Sequence, residues 1–156
     1  MDFDGEITVS APRATVFQEM QRPEMLGRTM PNCETVEQVD EHTYKFTVAE
    51  KISKIKLNLE NEIEITNLHE PDLVEIEISG NAPGTNTEAR GNGRFELSES
   101  ADGEGTDIHY TMEIDVSGKL ASIGFRMLKH VVTNRIKQMA DNIQAVFEEP
   151  EADAET

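Results

Sequence analysis

The stretch that decides the fold is GKLASIGFRMLKHVVTNRIKQMADNIQAVF, residues 118–147. It contains no proline, and its two glycines, Gly118 and Gly124, stand near its start. The sequence therefore predicts one continuous helix over residues 118–147, on the order of 45 Å long at the α-helical rise. Its apolar side chains recur with helical spacing and form one broad arc: Leu120, Ile123, Met127, Leu128, Val131, Val132, Met139, Ile143, Val146 and Phe147. Such a helix needs a wide apolar surface to lie on.

The chain before this helix alternates between apolar and polar residues, which is typical of half-buried strands. Two short helices interrupt the alternation, one opened by Pro12 and one over residues 23–27, since proline is favoured in a first helical turn. The predicted strands are residues 3–9, 35–39, 42–50, 55–65, 73–79, 87–97 and 108–116. Gly91 and Gly93 stand where side chains would otherwise point, which indicates a bend or a close approach of neighbouring chain.

The order of these elements predicts an α+β fold. Strands joined by short loops pair antiparallel, and alternation leaves one face of the sheet dry and the other wet. We therefore expect a helix-grip architecture, in which a curved antiparallel sheet of about seven strands wraps the long C-terminal helix and two short helices follow strand 1. One domain over residues 1–148 accounts for the pattern. Residues 149–156 are acidic and lack large apolar side chains, so we expect a disordered acidic tail.

The net charge is the most unusual feature of the composition. The 156 residues include 31 Asp or Glu and 14 Lys or Arg, a net charge of −17. A salt-adapted cytoplasm would screen such a surface, and a dedicated basic partner is the alternative explanation. Direct nucleic-acid binding is disfavoured because phosphate contacts need a basic face. The C-terminal helix departs from this acidity, with five basic residues and one acid over residues 118–147.

Three features of the sequence bear on the cellular location: the length of its apolar runs, its first residues and its cysteine content. No apolar run is long enough to span a bilayer, and the opening MDFDGEITVS lacks the basic start and apolar block of a signal peptide. The single cysteine, Cys33, excludes an internal disulfide and fits a reducing compartment. We therefore expect a cytoplasmic protein.

Several short motifs resemble a known family. They are the opening strand followed by Ala11-Pro12 with Val16-Phe17, the connection Pro23-Glu24…Pro31…Glu34, and the segment Gly118-Lys119-Leu120-Ala121…Gly124. Together with the helix-grip layout they resemble the START-like (SRPBCC) superfamily, and within it the carbon monoxide dehydrogenase G-subunit family, over residues 1–147. Family members carry a glycine after the second proline, where this chain has Asn32-Cys33.

The resemblance implies a START-like domain with a cavity between the sheet and the long helix. Such a cavity would bind a hydrophobic small molecule, for example a lipid, a quinone or a polyketide-like compound. The resemblance also implies an accessory role for a molybdenum-type carbon monoxide dehydrogenase. Two alternatives remain open: an enzyme of the polyketide cyclase or hydrolase type, and an assembly or membrane-recruitment adaptor for an oxidoreductase complex, with peripheral membrane contact.

The inward strand positions form either a solid core or a cavity wall, and periodicity does not decide between them. On the cavity reading, the predicted ligand-binding residues are Met20, Met30, Phe46, Leu57, Leu59, Ile63, Ile76, Phe95, Tyr110, Met112, Ile123, Met127, Val131 and Arg135. The opening would lie near residues 20–31. Arg135 flanks the apolar arc, so it either pairs with an acid of the sheet or offers a ligand one polar contact.

Chemistry-bearing motifs are sparse, so we expect no catalytic residue, no cofactor and no metal site. Only Tyr110 and Arg135 are candidates for a general acid or base inside the cavity. The four histidines stand in separate elements without ligand spacing, and residues 80–93 lack the lysine spacing of a phosphate loop. Lys51, Lys54 and Lys56 form a small basic patch, which is either a solvated strand face or a partner contact.

Overall fold

A computed structural model describes residues 1–148 of the chain; the predicted acidic tail, residues 149–156, lies outside the described residues. The elements in chain order are β1 (Asp2–Val9), α1 (Arg13–Glu19), α2 (Pro23–Thr29), β2 (Cys33–Asp40), β3 (Thr43–Ile52), β4 (Ile55–His69), β5 (Leu73–Asn81), β6 (Glu88–Glu99), β7 (Thr106–Ser117), a 3₁₀ turn (Leu120–Ile123) and α3 (Phe125–Phe147). The alternation of apolar residues predicted every one of these strands, with ends displaced by a few residues.

The strands form one seven-stranded sheet in the order β1-β7-β6-β5-β4-β3-β2. Every neighbouring pair is antiparallel. Five of the six pairings join strands that follow each other in the chain, whereas β1 pairs with β7, with Ile7 opposite Ile108. The predicted α+β helix-grip class is therefore confirmed.

The core is divided into two clusters at opposite ends of the concave face. The first core cluster joins β1, α1 and the C-terminal half of α3 and consists of Ile7, Val9, Ala11, Val16, Phe17, Val74, Phe95, Leu97, Ile108 and Ile143. The second core cluster joins the β3–β4 turn to the start of α3 and consists of Ile52, Leu57, Ala82, Leu120 and Leu128. Complete burial of each large aliphatic side chain stabilises the fold by about 1.5–3 kcal/mol, so these clusters fix the two ends of the helix on the sheet.

The long helix begins later than the sequence predicts. Gly124 has φ 100° and ψ 148°, a conformation that L-residues with a Cβ rarely adopt, and α3 starts after it and runs for 23 residues. Residues 120–123 form a separate 3₁₀ turn. The prediction of a continuous helix over residues 118–147 was wrong at its N-terminal end because helical periodicity does not register a single glycine with positive φ. The expected inward position of Met127 was also wrong, since this side chain is 49% exposed.

The middle of β6 carries no large side chain on the concave face. Gly91 and Gly93 stand between Ala89 and Phe95 on this face. A Cβ on Gly91 would collide with the carbonyl of Glu113 in β7, and one on Gly93 would lie 3.2 Å from the Ile76 side chain. The predicted close approach is thus observed. The missing side chains of Gly91 and Gly93 also leave the centre of the concave face less filled than its ends.

Candidate functional site

A cavity of about 320 Å³ lies between the concave face of the sheet and α3. The strand residues around it point inward yet stay only partly buried: Ile63, Ile65, Ile76, Ile78, Met112 and Ile114. An inward apolar side chain that keeps exposed surface borders unfilled space, whereas the residues of the two core clusters are buried, although some of them, such as Phe95 and Leu128, also line the cavity. The cavity therefore occupies the centre of the concave face, between the two core clusters.

The segment that contains α2 forms one side of this cavity. Met20, Met25, Leu26, Met30 and Pro31 all contribute to its lining. Methionine is flexible and polarizable, so a wall rich in methionine adapts to apolar molecules of varied shape.

Side-chain hydrogen bonds connect this segment to the long helix and to the sheet, and a further one lies within α2. The Thr29 hydroxyl donates to the Met25 carbonyl within α2 at 2.8 Å, and the Asn142 Nδ2 of α3 donates to the Thr29 carbonyl at 3.0 Å. The Tyr44 hydroxyl of β3 donates to the Gln21 carbonyl. The segment is therefore attached both to the helix and to the sheet.

Most of the predicted ligand-binding residues lie together on the cavity wall. These are Met20, Met30, Phe46, Leu59, Ile63, Ile76, Phe95, Met112, Val131 and Arg135. Four others lie elsewhere: Leu57 belongs to the second core cluster, Ile123 packs against that cluster, Tyr110 packs beside the first core cluster, and Met127 is exposed. Leu57 and Tyr110 have the predicted inward parity on their strands, but neither they nor Ile123 line the cavity.

The wall includes a partly buried ion pair. Nε of Arg135 donates to Glu50 Oε2 at 2.7 Å, and Nη2 donates to Glu50 Oε1 at 2.8 Å. The Glu50 side chain is 8% exposed and that of Arg135 30%. The hydrogen bond to Glu50 raises the pKa of Arg135 further above its ordinary value, against the opposing effect of burial. The predicted pairing of Arg135 with an acid of the sheet is confirmed, and the pair faces the cavity.

Two polar residues of this wall were not predicted as site residues, although the sequence carried a signal for each. Glu50 has the same parity as Phe46 and Val48, so an acid there interrupts an apolar series of β3. Asn61 interrupts the apolar series of β4 in the same way, and its Nδ2 donates to the Leu59 carbonyl at 3.3 Å. Asn61 lies opposite Phe46, four residues along β3 from Glu50, which is about 13 Å at the rise of a strand. On β3 and β4 the wall thus presents two separate polar points, the Glu50–Arg135 pair and Asn61, on an otherwise largely apolar surface, as ligand sites usually do.

Apart from Arg135, the candidate catalytic and metal-binding groups contribute little to this site. Burial raises the pKa of the Tyr110 hydroxyl, and Tyr110 packs across Gly5 of β1 and does not itself line the cavity. Burial likewise raises the pKa of the Cys33 thiol, which donates to the Thr35 carbonyl at 3.5 Å. Residues 1–148 contain no group of three or more His, Cys, Asp or Glu side chains arranged to hold a metal ion. None of the helices within those residues is apolar and long enough to cross a membrane.

A curved seven-stranded antiparallel sheet, a long C-terminal helix and a cavity between them define a START-like helix-grip protein. Solved structures share this fold over nearly the whole chain. A conserved protein from Geobacillus kaustophilus has a TM-score of 0.83 and 24% identity, with 94% of this chain and 95% of that chain covered. A START superfamily protein from Mycobacterium smegmatis has a TM-score of 0.70 and 11% identity, with coverage of 95% and 97%. The Zhui aromatase/cyclase from Streptomyces sp. R1128 has a TM-score of 0.68 and 14% identity, with coverage of 95% and 93%.

The sequence itself places the chain within this class. The family model described as the G subunit of carbon monoxide dehydrogenase (CoxG) matches residues 5–147, and the chain belongs to that family. The resemblance drawn from the short sequence motifs is thereby confirmed. No curated protein matches the chain.

Proposed function

We propose that this chain binds a hydrophobic small molecule in the cavity between the sheet and α3 and performs no chemistry on it. The observation that supports this most directly is the partly exposed state of the inward residues at the centre of the sheet, such as Ile63, Ile76 and Met112. A solid core would bury them as completely as it buries Val9 and Ile108. The volume of about 320 Å³ falls at the small end of the range for ligand pockets, roughly 300–1,000 Å³.

The polar groups on the wall favour a ligand with an apolar body and a hydrogen-bond acceptor. An arginine carries five N–H donors, and the contact with Glu50 uses Nε and Nη2 of Arg135. Glu50 does not use the two N–H donors of Nη1, and it holds the guanidinium in one orientation on the cavity wall. A carbonyl or carboxylate oxygen is a suitable partner for those donors. Lipids, quinones and polyketide-like compounds all combine such an oxygen with an apolar body.

The description of the family supports a second part of the proposal, an accessory role beside an enzyme. Members are described as the G subunit of carbon monoxide dehydrogenase, so we propose that the chain serves as an accessory protein to a molybdenum-type dehydrogenase of that kind. Ligand binding and an accessory role are compatible, because the cavity lies inside the domain and leaves the outer face of the sheet available for a partner. The assembly-adaptor alternative differs in one respect: it uses the surface and leaves the cavity without a function.

Mass spectrometry of the natively purified protein tests the ligand proposal. The intact protein should show a mass excess under native conditions that disappears on denaturation, and an organic extract should contain the corresponding apolar compound. A variant with Met112→Trp, which fills the cavity, should lose the mass excess. Val39→Trp is the matched control, because Val39 is exposed on β2. A native mass equal to that of the bare chain, together with failure to take up an apolar fluorescent probe, would overturn the proposal.

A further inference from the structure

The amide side chain of Asn61 lies on the cavity wall, and the protein uses only part of its hydrogen-bonding capacity. Asn61 stands on the inward parity of β4 between Leu59 and Ile63, and it lines the cavity. A side-chain amide has two N–H donors and an acceptor oxygen, whereas this one makes a single bond, from Nδ2 to the Leu59 carbonyl at 3.3 Å. Within residues 1–148 no group donates to Oδ1, and this oxygen retains accessible surface. The amide therefore keeps both a donor and an acceptor for an external partner.

Small residues beside Asn61 make room for this amide on the concave face. Asn61 lies directly opposite Gly80 of β5, and Gly80 lies opposite Ala89 of β6. A Cβ on Gly80 would collide with Asn61 Oδ1, so the amide occupies the place that a side chain at position 80 would take. Ala89 adds only a methyl group to the cavity wall. We call these three residues, Asn61, Gly80 and Ala89, the Asn61 notch.

The surroundings of the Asn61 notch are apolar. Phe46 lies opposite Asn61 on β3, and Ile63 and Ile78 form the next inward pair of the β4–β5 ladder. A polar group in such surroundings lowers the stability of the fold unless it is hydrogen-bonded. A leucine would continue the apolar series of β4 without that loss. A molecule in the cavity that bonds to the amide would remove it as well.

Asn61 differs from the other polar strand residues of the wall. The Tyr44 hydroxyl of β3 donates to the Gln21 carbonyl, and Glu50 accepts two hydrogen bonds from Arg135. Each of these two side chains is thus bonded to a different element of the fold. In the part of the chain that the structure describes, Asn61 is the polar strand residue of the wall whose side chain bonds only within its own strand.

The Asn61 notch and the Glu50–Arg135 ion pair line the same cavity at separate positions. Phe46, which lies opposite Asn61, is four residues from Glu50 along β3, or about 13 Å at the rise of a strand. The two oxygens of a single ring are closer together than this, so a single ring meets one of the two positions. An extended chain or a fused-ring body of that length reaches both.

We propose that the ligand of this cavity carries two oxygen groups on one apolar body: a carbonyl or carboxylate that binds Arg135, and a hydroxyl about 13 Å away that binds Asn61. A hydroxyl suits a side-chain amide because it donates to Oδ1 and accepts from an N–H. The inference rests on the proposed ligand-binding function and narrows it. Asn61 is then a specificity-determining residue, because a wall without this amide would bury the ligand hydroxyl without a partner.

A matched pair of fatty acids tests this inference. Decanoic acid and ω-hydroxydecanoic acid have the same chain and the same carboxylate, so the net charge of the protein affects both alike. Displacement of an apolar fluorescent probe from the whole chain at about pH 8, where both acids are ionised, gives their dissociation constants. For the wild type we expect the two constants to be about equal. In Asn61→Leu the constant of the hydroxy acid should rise about tenfold relative to that of decanoic acid.

Two further variants separate this contact from general changes of the wall. Asn58→Leu makes the same substitution at an exposed position of β4, and it should leave both dissociation constants unchanged. Gly80→Ala keeps the amide, but its Cβ takes the place of Asn61 Oδ1. It should therefore displace the amide and raise the constant of the hydroxy acid relative to that of decanoic acid, as Asn61→Leu does. Thermal melts of all three variants should remain cooperative.

The possible outcomes distinguish this inference from the function on which it rests. If both acids displace the probe and their ratio is the same in the wild type and in Asn61→Leu, the cavity binds ligands but the role of Asn61 is overturned. Displacement by neither acid would also overturn the inference. Failure of the wild type to take up the probe at all would contradict the ligand-binding function, and the role of Asn61 with it.

Discussion

Arg135 of α3 and Glu50 of β3 form a two-point ion pair on the wall of the cavity, with N–O distances of 2.7 and 2.8 Å. The pair links the helix to the sheet between the two core clusters, where few other atoms fill the space. Removing one partner leaves the other charge poorly solvated, whereas removing both leaves an apolar wall. The pair therefore contributes more to the position of the guanidinium than to net stability.

A double-mutant cycle separates these contributions. Arg135→Met should lower the free energy of unfolding by about 1–3 kcal/mol, because it strands the Glu50 carboxylate, which is 8% exposed. Glu50→Gln should lower the free energy of unfolding by less, because the Arg135 side chain is 30% exposed and still reaches water. The double variant Glu50→Gln/Arg135→Met should be close to wild type. Urea denaturation measures all three, and additive losses would show that the two side chains are not coupled.

The same variants test the polar contact to a ligand. Arg135→Met should lower the affinity for a ligand that bears a carbonyl or carboxylate roughly ten- to a hundredfold, because a hydrogen bond to a charged group contributes about 1.5–3 kcal/mol. A purely apolar probe should bind as it does to the wild type. Titration of both ligands by fluorescence provides the comparison. Equal losses for both would indicate a collapsed cavity and reject the contact.

Filling the cavity should reduce the uptake of an apolar ligand without unfolding the protein. Ile63 of β4 and Met112 of β7 approach the cavity from different strands, and both retain exposed surface that a larger side chain can occupy. Ile63→Trp and Met112→Trp should each reduce uptake of an apolar fluorescent probe, while the thermal melt stays cooperative. Leu57→Trp is the informative comparison, because Leu57 is packed in the second core cluster and the larger side chain should destabilise the fold. Unchanged uptake in both cavity variants would place the probe elsewhere.

Like charges oppose each other across the outer face of the sheet. Glu64 of β4 lies directly opposite Glu77 of β5, and both are exposed. Opposed like charges destabilise a pair of strands, whereas opposite charges contribute roughly 0.2–1 kcal/mol. Glu64→Lys should therefore raise the melting temperature at low salt, and this gain should shrink in molar potassium chloride, where the Debye length is about 3 Å.

A second substitution separates this local effect from the change in net charge. Glu37 of β2 lies opposite Lys45 of β3, so Glu37→Lys shifts the net charge as Glu64→Lys does but replaces an attractive pair with a repulsive one. It should gain less stability at low salt than Glu64→Lys, or lose some. The wild type itself should become more stable as salt is added, since its net charge is −17. A melting temperature independent of salt would contradict both expectations.

Cys33 should react slowly in the folded protein. Burial raises the pKa of its thiol, so less thiolate is present near pH 8 than in an ordinary cysteine, and the thiolate is the reactive form. Alkylation by iodoacetamide should be slower in the folded chain than in urea, and its rate should continue to rise above the pH at which the unfolded chain levels off. Identical rate profiles in the two states would show that the environment of Cys33 has no effect.

The sheet could be predicted almost completely from alternation, because a period of two directly reports which side chains face the helix. Alternation does not report how far along a strand the packed core ends and the cavity begins. Leu57 and Ile63 share one parity, yet the first is packed among core residues and the second borders the cavity. Whether an inward strand position is packed or borders the cavity depends on which helix residues lie opposite it. The residue pattern of a single strand carries no information about those residues.

The start of α3 and the partner of Arg135 escaped prediction for different reasons. The break at Gly124 is a matter of one backbone dihedral, to which the spacing of apolar residues is insensitive. Glu50 follows Val48 on the inward parity of β3, and that placement was the available signal for a buried acid. The pairing itself depends on the relative position of helix and sheet, which only the three-dimensional structure supplies.

The order of the strands has a consequence for how the chain folds. Every pairing from β2 to β7 joins neighbours in sequence, so these contacts close short loops, whereas Ile7 must reach Ile108 across about a hundred residues. We expect the hairpins to form before the transition state and β1 to dock after it. In stopped-flow measurements Ile7→Val should then mainly accelerate unfolding, while Val74→Ala in β5 should slow folding; the reverse result would place β1 in the nucleus. Until β1 docks, β7 remains an uncovered edge strand, and its unpaired backbone can pair with another chain.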